Sequence, residues 1–215
     1  MKLSTKKEIE QIKALFIQNY TDAVTELTYS NLYELITSVM LSAQCTDKRV
    51  NIITPALFKK YPNIKKLANA DIDDVKNIIK SCSFFNNKAI NLIKMAKRVL
   101  EHYNGQIPLD EKELITLAGV GQKTAHVVMI EYTGANLMAV DTHVFRVAHR
   151  LGLSNAKTPI STEEELTKKL KTDLHTLHQA MVLFGRYICK AINPKCESEC
   201  FMNEYCKTKK SFKAN

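Results

Sequence analysis

A chain of 215 residues with 45% hydrophobic residues, only 6 Gly and only 5 Pro can bury a core, which excludes disordered, collagen-like and loop-rich disulfide scaffolds. Its 31 Lys and Arg against 22 Asp and Glu give a formal charge of +9, which favours a polyanionic partner; a solvated lysine-rich surface is the bland alternative. No run of about 18 apolar residues reads as a membrane span, and Met1 to Glu8 lack the apolar core of a signal peptide, so a cytoplasmic, nucleoid-associated, prokaryote-like protein is expected.

Helical spacing dominates the chain. Ile9, Ile12, Leu15 and Phe16 form the first apolar stripe, and Leu32, Leu35, Ile36, Val39 and Met40 form the next, with Ser30 as its start signal. Val50 to Tyr61 is helical in pattern but contains Pro55, which predicts a late start, a kink or a break. Val75, Ile78 and Ile79 follow Asp71 and Asp74. Ile90, Leu92, Ile93, Ala96, Val99 and Leu100 follow in turn, in a helix that Gly105 closes. Asp110 caps a segment reaching Leu117, Ala118-Gly119-Val120-Gly121 stops it, and helical character resumes from Gln122 to Tyr132, with Val127, Val128 and Ile130 available to pack on Leu114 and Leu117. Gly152 closes a further helix, and Ser161 with Glu164 has the spacing of a capping box. No alternating strand pattern occurs, so the expected fold is all-α. The Lys207 to Lys213 tail reads as a frayed basic end.

The helix, glycine turn, helix arrangement carries the chemistry. Without side chains, Gly119 and Gly121 let backbone N–H groups approach a phosphate at the start of the second helix, although an ordinary helix C-cap explains such a turn as often. Lys123, on its own, reads as a surface lysine for a DNA phosphate. A lysine nucleophile must be neutral, and a helix N-terminus with partial burial disfavours the ammonium form. Cys189, Cys196, Cys200 and Cys206 form C-x6-C-x3-C-x5-C, which suits zinc or an iron-sulfur cluster equally. Cys45 and Cys82 sit apart, beside apolar stripes, and read as small buried residues. His175 and His178 read as surface or core histidines of a helix.

Leu117-Ala118-Gly119-Val120-Gly121-Gln122-Lys123-Thr124-Ala125 resembles the helix-hairpin-helix of the endonuclease III family, and Val140-Asp141-Thr142-His143-Val144-Phe145-Arg146-Val147 resembles its catalytic-aspartate segment. Leu41-Ser42-Ala43-Gln44, Phe85-Asn86-Asn87-Lys88-Ala89, Gly185-Arg186-Tyr187 and the cysteine cluster extend the resemblance over nearly the whole chain. The resemblance implies a bifunctional DNA N-glycosylase and AP lyase that removes oxidised pyrimidines and nicks the abasic site by β-elimination. Lys123 is then the nucleophile, and Asp141 stabilises the cationic sugar and assists proton transfers. It also implies a 4Fe-4S cluster on Cys189, Cys196, Cys200 and Cys206, although one more residue separates Cys196 from Cys200 than the family's spacing has.

Gln44 is implied to fill the space left by an extruded base, and Phe84 to act as a second wedge. Gly119, Val120, Gly121, Thr124, Lys88, His143, Lys190 and Lys195 complete the expected DNA contacts. The implied partner is double-stranded DNA with a damaged base or abasic site, bound by a monomer without a membrane. Six helices over 25–135 would carry the hairpin, and 1–24 with 136–215 would form a second helical domain holding the cluster. A monofunctional adenine-mismatch glycosylase is disfavoured because Ser38 stands where that relative has a catalytic glutamate. A non-catalytic clamp is opposed by Lys123 and Asp141 together.

Overall fold

The computed structural model describes residues 2–208, which are helical with intervening turns and contain no strand; no helix among them is long and apolar enough to cross a membrane. Lys209, Lys210 and Lys213 of the expected basic tail lie outside these residues. The helices are α1 (Lys6–Asn19), α2 (Leu32–Ser42), α3 (Asp47–Lys60), α4 (Ile64–Ala68), α5 (Ile72–Ile79), α6 (Phe85–Tyr103), α7 (Glu111–Leu114), α8 (Gln122–Thr133), α9 (Thr142–Arg150), α10 (Pro159–Leu170) and α11 (Leu174–Tyr187), followed by a 3-10 turn at Asn203–Tyr205. The chain divides into two compact units, one of Glu26–Thr133 and one of Met1–Thr25 with Gly134–Asn215.

The continuous unit holds α2 to α8. Leu35, Ile36 and Leu41 of α2, Leu57 of α3, Leu67 of α4, Ile79 of α5 and Leu92, Met95 and Val99 of α6 are fully buried in one core with Leu114 and Val128. Burial of such side chains contributes about 1.5–3 kcal/mol each. Ile90, assigned to the α6 stripe from spacing, is exposed instead; the burial of Lys88 and Ala89 shows the inward face passing it by. Asn31, not Ser30, caps α2 by accepting from Glu34 N–H, while Ser30 N–H donates to the Glu34 carboxylate at 2.7 Å. α3 runs through Pro55 as one helix, entered from Thr46, whose hydroxyl accepts from Arg49 N–H. Asn51 ties α3 to the preceding segment, accepting from Thr28 N–H and donating to the Glu26 carbonyl.

The discontinuous unit has its own core, in which Ile12 and Phe16 of α1 meet Val144 and Val147 of α9, Leu166 of α10 and Leu177 and Phe184 of α11. Thr5 and Glu8 form a capping box at α1. α10 begins earlier than expected: Thr158 is its cap, accepting from Ser161 N–H, and Pro159 takes the first position, where a missing N–H costs nothing. Gly152 must be glycine, because φ is +67° and a Cβ there would lie 2.9 Å from the Lys2 carbonyl oxygen and from Lys207 Cγ. Two chain-end segments therefore meet at this turn. Ser4 N–H donates to Gly152 O, Lys207 N–H donates to Arg150 O, and Lys207 Nζ lies 2.6 Å from Glu8 Oε1, so Lys207 is held rather than frayed.

Candidate active site

In the continuous unit, Asp110 caps α7 by accepting from Lys112 and Glu113 N–H, and single-turn bonds carry the chain to Leu117. The first hairpin helix is thus one α-turn extended by tight turns, shorter than the continuous segment read from sequence. Val120 N–H donates to Leu117 O, and its side chain is buried. Val120 therefore anchors the turn in the core and offers no side chain to DNA. Gly119 has φ +78°, and a Cβ there would approach Asn91 Cβ to 2.9 Å and Met40 Cε to 3.1 Å, so the packing of the turn on α2 and α6 requires glycine. Gly121 is different: a Cβ there would meet nothing within 4 Å. Its position faces open space.

Lys123 is the second residue of α8 and is exposed, so the partial burial anticipated for it is not found. Thr124 behind it is half-buried. His126 one turn on is buried, with Nε2 3.2 Å from Glu111 Oε2, which links α8 to α7.

Gln44 and Phe84 are exposed, with left-handed φ values of 54° and 56°, immediately after α2 and before α6. Such backbone is uncommon for non-glycine residues and persists where its surroundings over-determine it. Lys88 supplies part of that constraint. It is 8% exposed, with Nζ donating at 2.7 Å to both Leu41 O and Ala43 O, and burial pushes its pKa down. Its ammonium thus satisfies the carbonyls at the end of α2. Ser38 is fully buried on α2 and presents no carboxylate.

In the discontinuous unit, Asp141 is the N-cap of α9. Its Oδ1 accepts from both His143 N–H and Val144 N–H at 2.8 Å, leaving Oδ2 unengaged among the described residues. His143 Nδ1 lies 3.2 Å from Arg146 Nη2, whose guanidinium also donates to Gly185 O and Cys189 O. A Cβ at Gly185 would fall 2.9 Å from His143 Cβ, so this glycine lets α11 cross close to α9. Of the two histidines on α11, His175 is exposed and His178 buried.

Cys189, Cys196, Cys200 and Cys206 line one pocket together with Arg150, Phe184 and Met202. Burial, then the neighbouring thiols Cys206 and Cys189, raises the Cys196 pKa; burial foremost takes Cys200 up to about 11. Thiols raised in this way, gathered with two more in one pocket, are suited to a cationic group that takes them up as thiolates. Arg150, a residue that no sequence pattern marked, is buried and donates to the carbonyls of Cys189, Lys190 and Ala191, with Nη1 3.3 Å from Cys189 Sγ. Among the described residues no three His, Cys, Asp or Glu side chains, as they stand, could hold a single metal ion. Four cysteine sulfurs lining one pocket are a donor set that suits an iron-sulfur cluster or zinc. Lys195 is paired with Glu199 at 2.6 Å, so the loop between the second and third cysteines pairs a cation expected to face DNA; Lys190 is half-buried.

An all-helical chain with a glycine turn before an exposed lysine, an aspartate cap and four gathered cysteines has the parts of a base-excision glycosylase. Residues 37–172 match the HhH-GPD superfamily of base excision DNA repair proteins. The chain is 44% identical to the endonuclease III of Rickettsia felis over 92% of its own length and 93% of that protein, and 37% identical to that of Escherichia coli over 89% and 91%. It superimposes on a trapped endonuclease III–DNA covalent intermediate with a TM-score of 0.93 at 37% identity, covering 97% of this chain and 99% of the other. The chain belongs to the endonuclease III family of the HhH-GPD superfamily.

Proposed function

We propose that this protein is a monomeric, bifunctional DNA N-glycosylase and AP lyase that removes oxidised pyrimidines from double-stranded DNA and nicks the resulting abasic site. The observation that carries this reading is the exposed amine of Lys123 at the start of α8, directly after a turn whose Gly121 leaves room for a phosphate.

The amine of Lys123 attacks C1′ of the extruded nucleotide, and the base departs with the bonding electron pair and takes up a proton. The sugar ring then opens: the C1′–O4′ bond breaks, O4′ gains a proton, and a C1′=N imine to Lys123 remains. Removal of a C2′ proton breaks the C3′–O bond, so the 3′ phosphate leaves with the electron pair; water then hydrolyses the imine. Asp141 stabilises the developing positive charge of the sugar and moves protons in these steps through Oδ2, while Oδ1 remains committed to the α9 cap.

Gln44 and Phe84 enter the duplex at the vacated position, held ready by their left-handed backbone. Backbone N–H groups around Gly121, with Thr124, bind the strand's phosphate, and His143 borders the nucleotide. Lys190 reaches the phosphates from the cysteine loop. Cys189, Cys196, Cys200 and Cys206 hold a 4Fe-4S cluster, which when bound cross-links the C-terminal loop to α11.

Incubation with an abasic duplex tests the activity. Strand nicking 3′ to the site is expected. Base release from a lesion duplex without nicking would mark a monofunctional enzyme, and binding alone a clamp. A panel of single-lesion duplexes tests the preference for oxidised pyrimidines.

A further inference from the structure

Two cysteines outside the metal pocket come together although they lie 37 positions apart in the sequence. Cys45 directly follows Gln44, and Cys82 lies two residues before Phe84. Cys45 S–H donates to Cys82 Sγ at 3.5 Å. Cys45 is half-buried and Cys82 is 3% exposed, which makes one sulfur accessible to a solute and shelters the other behind it. The loop of Cys45 is already fastened to the first turn of α6, because Lys88 holds Leu41 O and Ala43 O. Burial and the Cys45 hydrogen bond hold the Cys82 thiol up at about 11, while the charges of Lys88 and Arg49 pull the other way. The attacking sulfur is therefore Cys45 and the resolving one Cys82.

We propose that Cys45 and Cys82 form a reversible disulfide by exchange with a low-molecular-weight disulfide, and that this bond pins the loops presenting Gln44 and Phe84 and weakens their engagement of duplex DNA. The second half rests on the roles given to Gln44 and Phe84 above; the first half does not. The Cys45 thiolate attacks one sulfur of the small disulfide, forming a mixed disulfide and expelling one thiolate. The Cys82 thiolate then attacks the Cys45 sulfur and expels the second. The two departing thiolates take up the two protons, and the two electrons lost by the protein pair are gained by the small disulfide. Closing the contact from 3.5 Å to a bond of about 2.05 Å draws the two loops together and shifts Gln44 and Phe84 out of the poise their left-handed backbone gives them.

The test exposes cluster-loaded protein to oxidised glutathione, with the broad absorbance near about 400 nm followed to verify that the cluster persists. A non-reduced digest is read by mass for a Cys45–Cys82 linked peptide. Affinity is read by fluorescence anisotropy on a duplex with a tetrahydrofuran abasic analogue. The expected result is a linked peptide and a roughly tenfold loss of affinity, both reversed by dithiothreitol. The Cys45→Ser/Cys82→Ala variant keeps the affinity of the reduced protein and shows neither effect. Glutathione on Cys45 with no link would overturn the disulfide, and a link with unchanged affinity would overturn its effect on DNA. An equal loss of affinity in the double variant would overturn it too, by tracing the effect to another site. If reduced protein fails to bind the duplex, the functional reading above fails, while the link is still decided by mass alone.

Discussion

Lys123 and Asp141 each stand at the N-terminus of a helix, and the helix does something different for each. At Lys123 the α8 terminus sets the amine out in solvent directly after the glycine turn. At Asp141 the α9 terminus uses one carboxylate oxygen structurally and leaves the other for chemistry. Asn caps helices as well as Asp, so Asp141→Asn is expected to change stability by less than about 0.5 kcal/mol while lowering nicking by roughly 10² to 10³-fold. Parallel thermal melts and single-turnover rates check this, and a variant that loses both properties together would reduce Asp141 to its cap. The roles of both residues came from sequence by resemblance. Their surroundings did not, since nothing in the local pattern distinguishes an exposed Lys123 from a half-buried one.

At the scale of elements, the glycine turn separates two demands that sequence reads as one. Gly119 is fixed by the fold through a left-handed φ and the approach of Asn91 and Met40, whereas a Cβ at Gly121 would meet nothing within 4 Å among the described residues. Gly119→Ala should cost about 2 to 4 kcal/mol through backbone strain and overpacking. Gly121→Ala should melt like the parent yet bind abasic duplex roughly tenfold more weakly. Denaturant titration with anisotropy distinguishes them, and equal destabilisation by both substitutions would contradict the division. Helix existence and the apolar stripes were legible because 3.6-residue periodicity is written locally. Cap identity was less so: Thr158 and Ser161 are both good caps, and Pro159 decides between them. Lys88 and the Cys45–Cys82 contact were illegible, because each joins segments about 40 residues apart whose meeting depends on how α2 packs with α6. Arg150 on the cysteine segment is the same case.

At the scale of the whole molecule, the expected domain limits remain a proposal about function, but the chain does divide into a continuous and a discontinuous unit. The latter is closed by the contact of Lys207 with Glu8, just beyond the last cysteine. The Lys207 ammonium, helped by Thr5 N–H, holds the Glu8 pKa at about 2 instead of 4.5. A carboxyl depressed on folding contributes stability that is fully present above about 4.5 and is lost as pH falls toward 2. The melting temperature of the parent should therefore exceed that of Glu8→Gln at pH 7, and the gap should close between those two pH values; a gap independent of pH would contradict the pairing. The most direct test of the central claim is borohydride reduction during reaction with abasic duplex, followed by mass analysis of the adduct. One covalent DNA attachment per protein, at Lys123, is expected, with a loss of trapping by roughly 10³-fold in Lys123→Ala. Undiminished trapping in that variant, or an adduct at another residue, would contradict it.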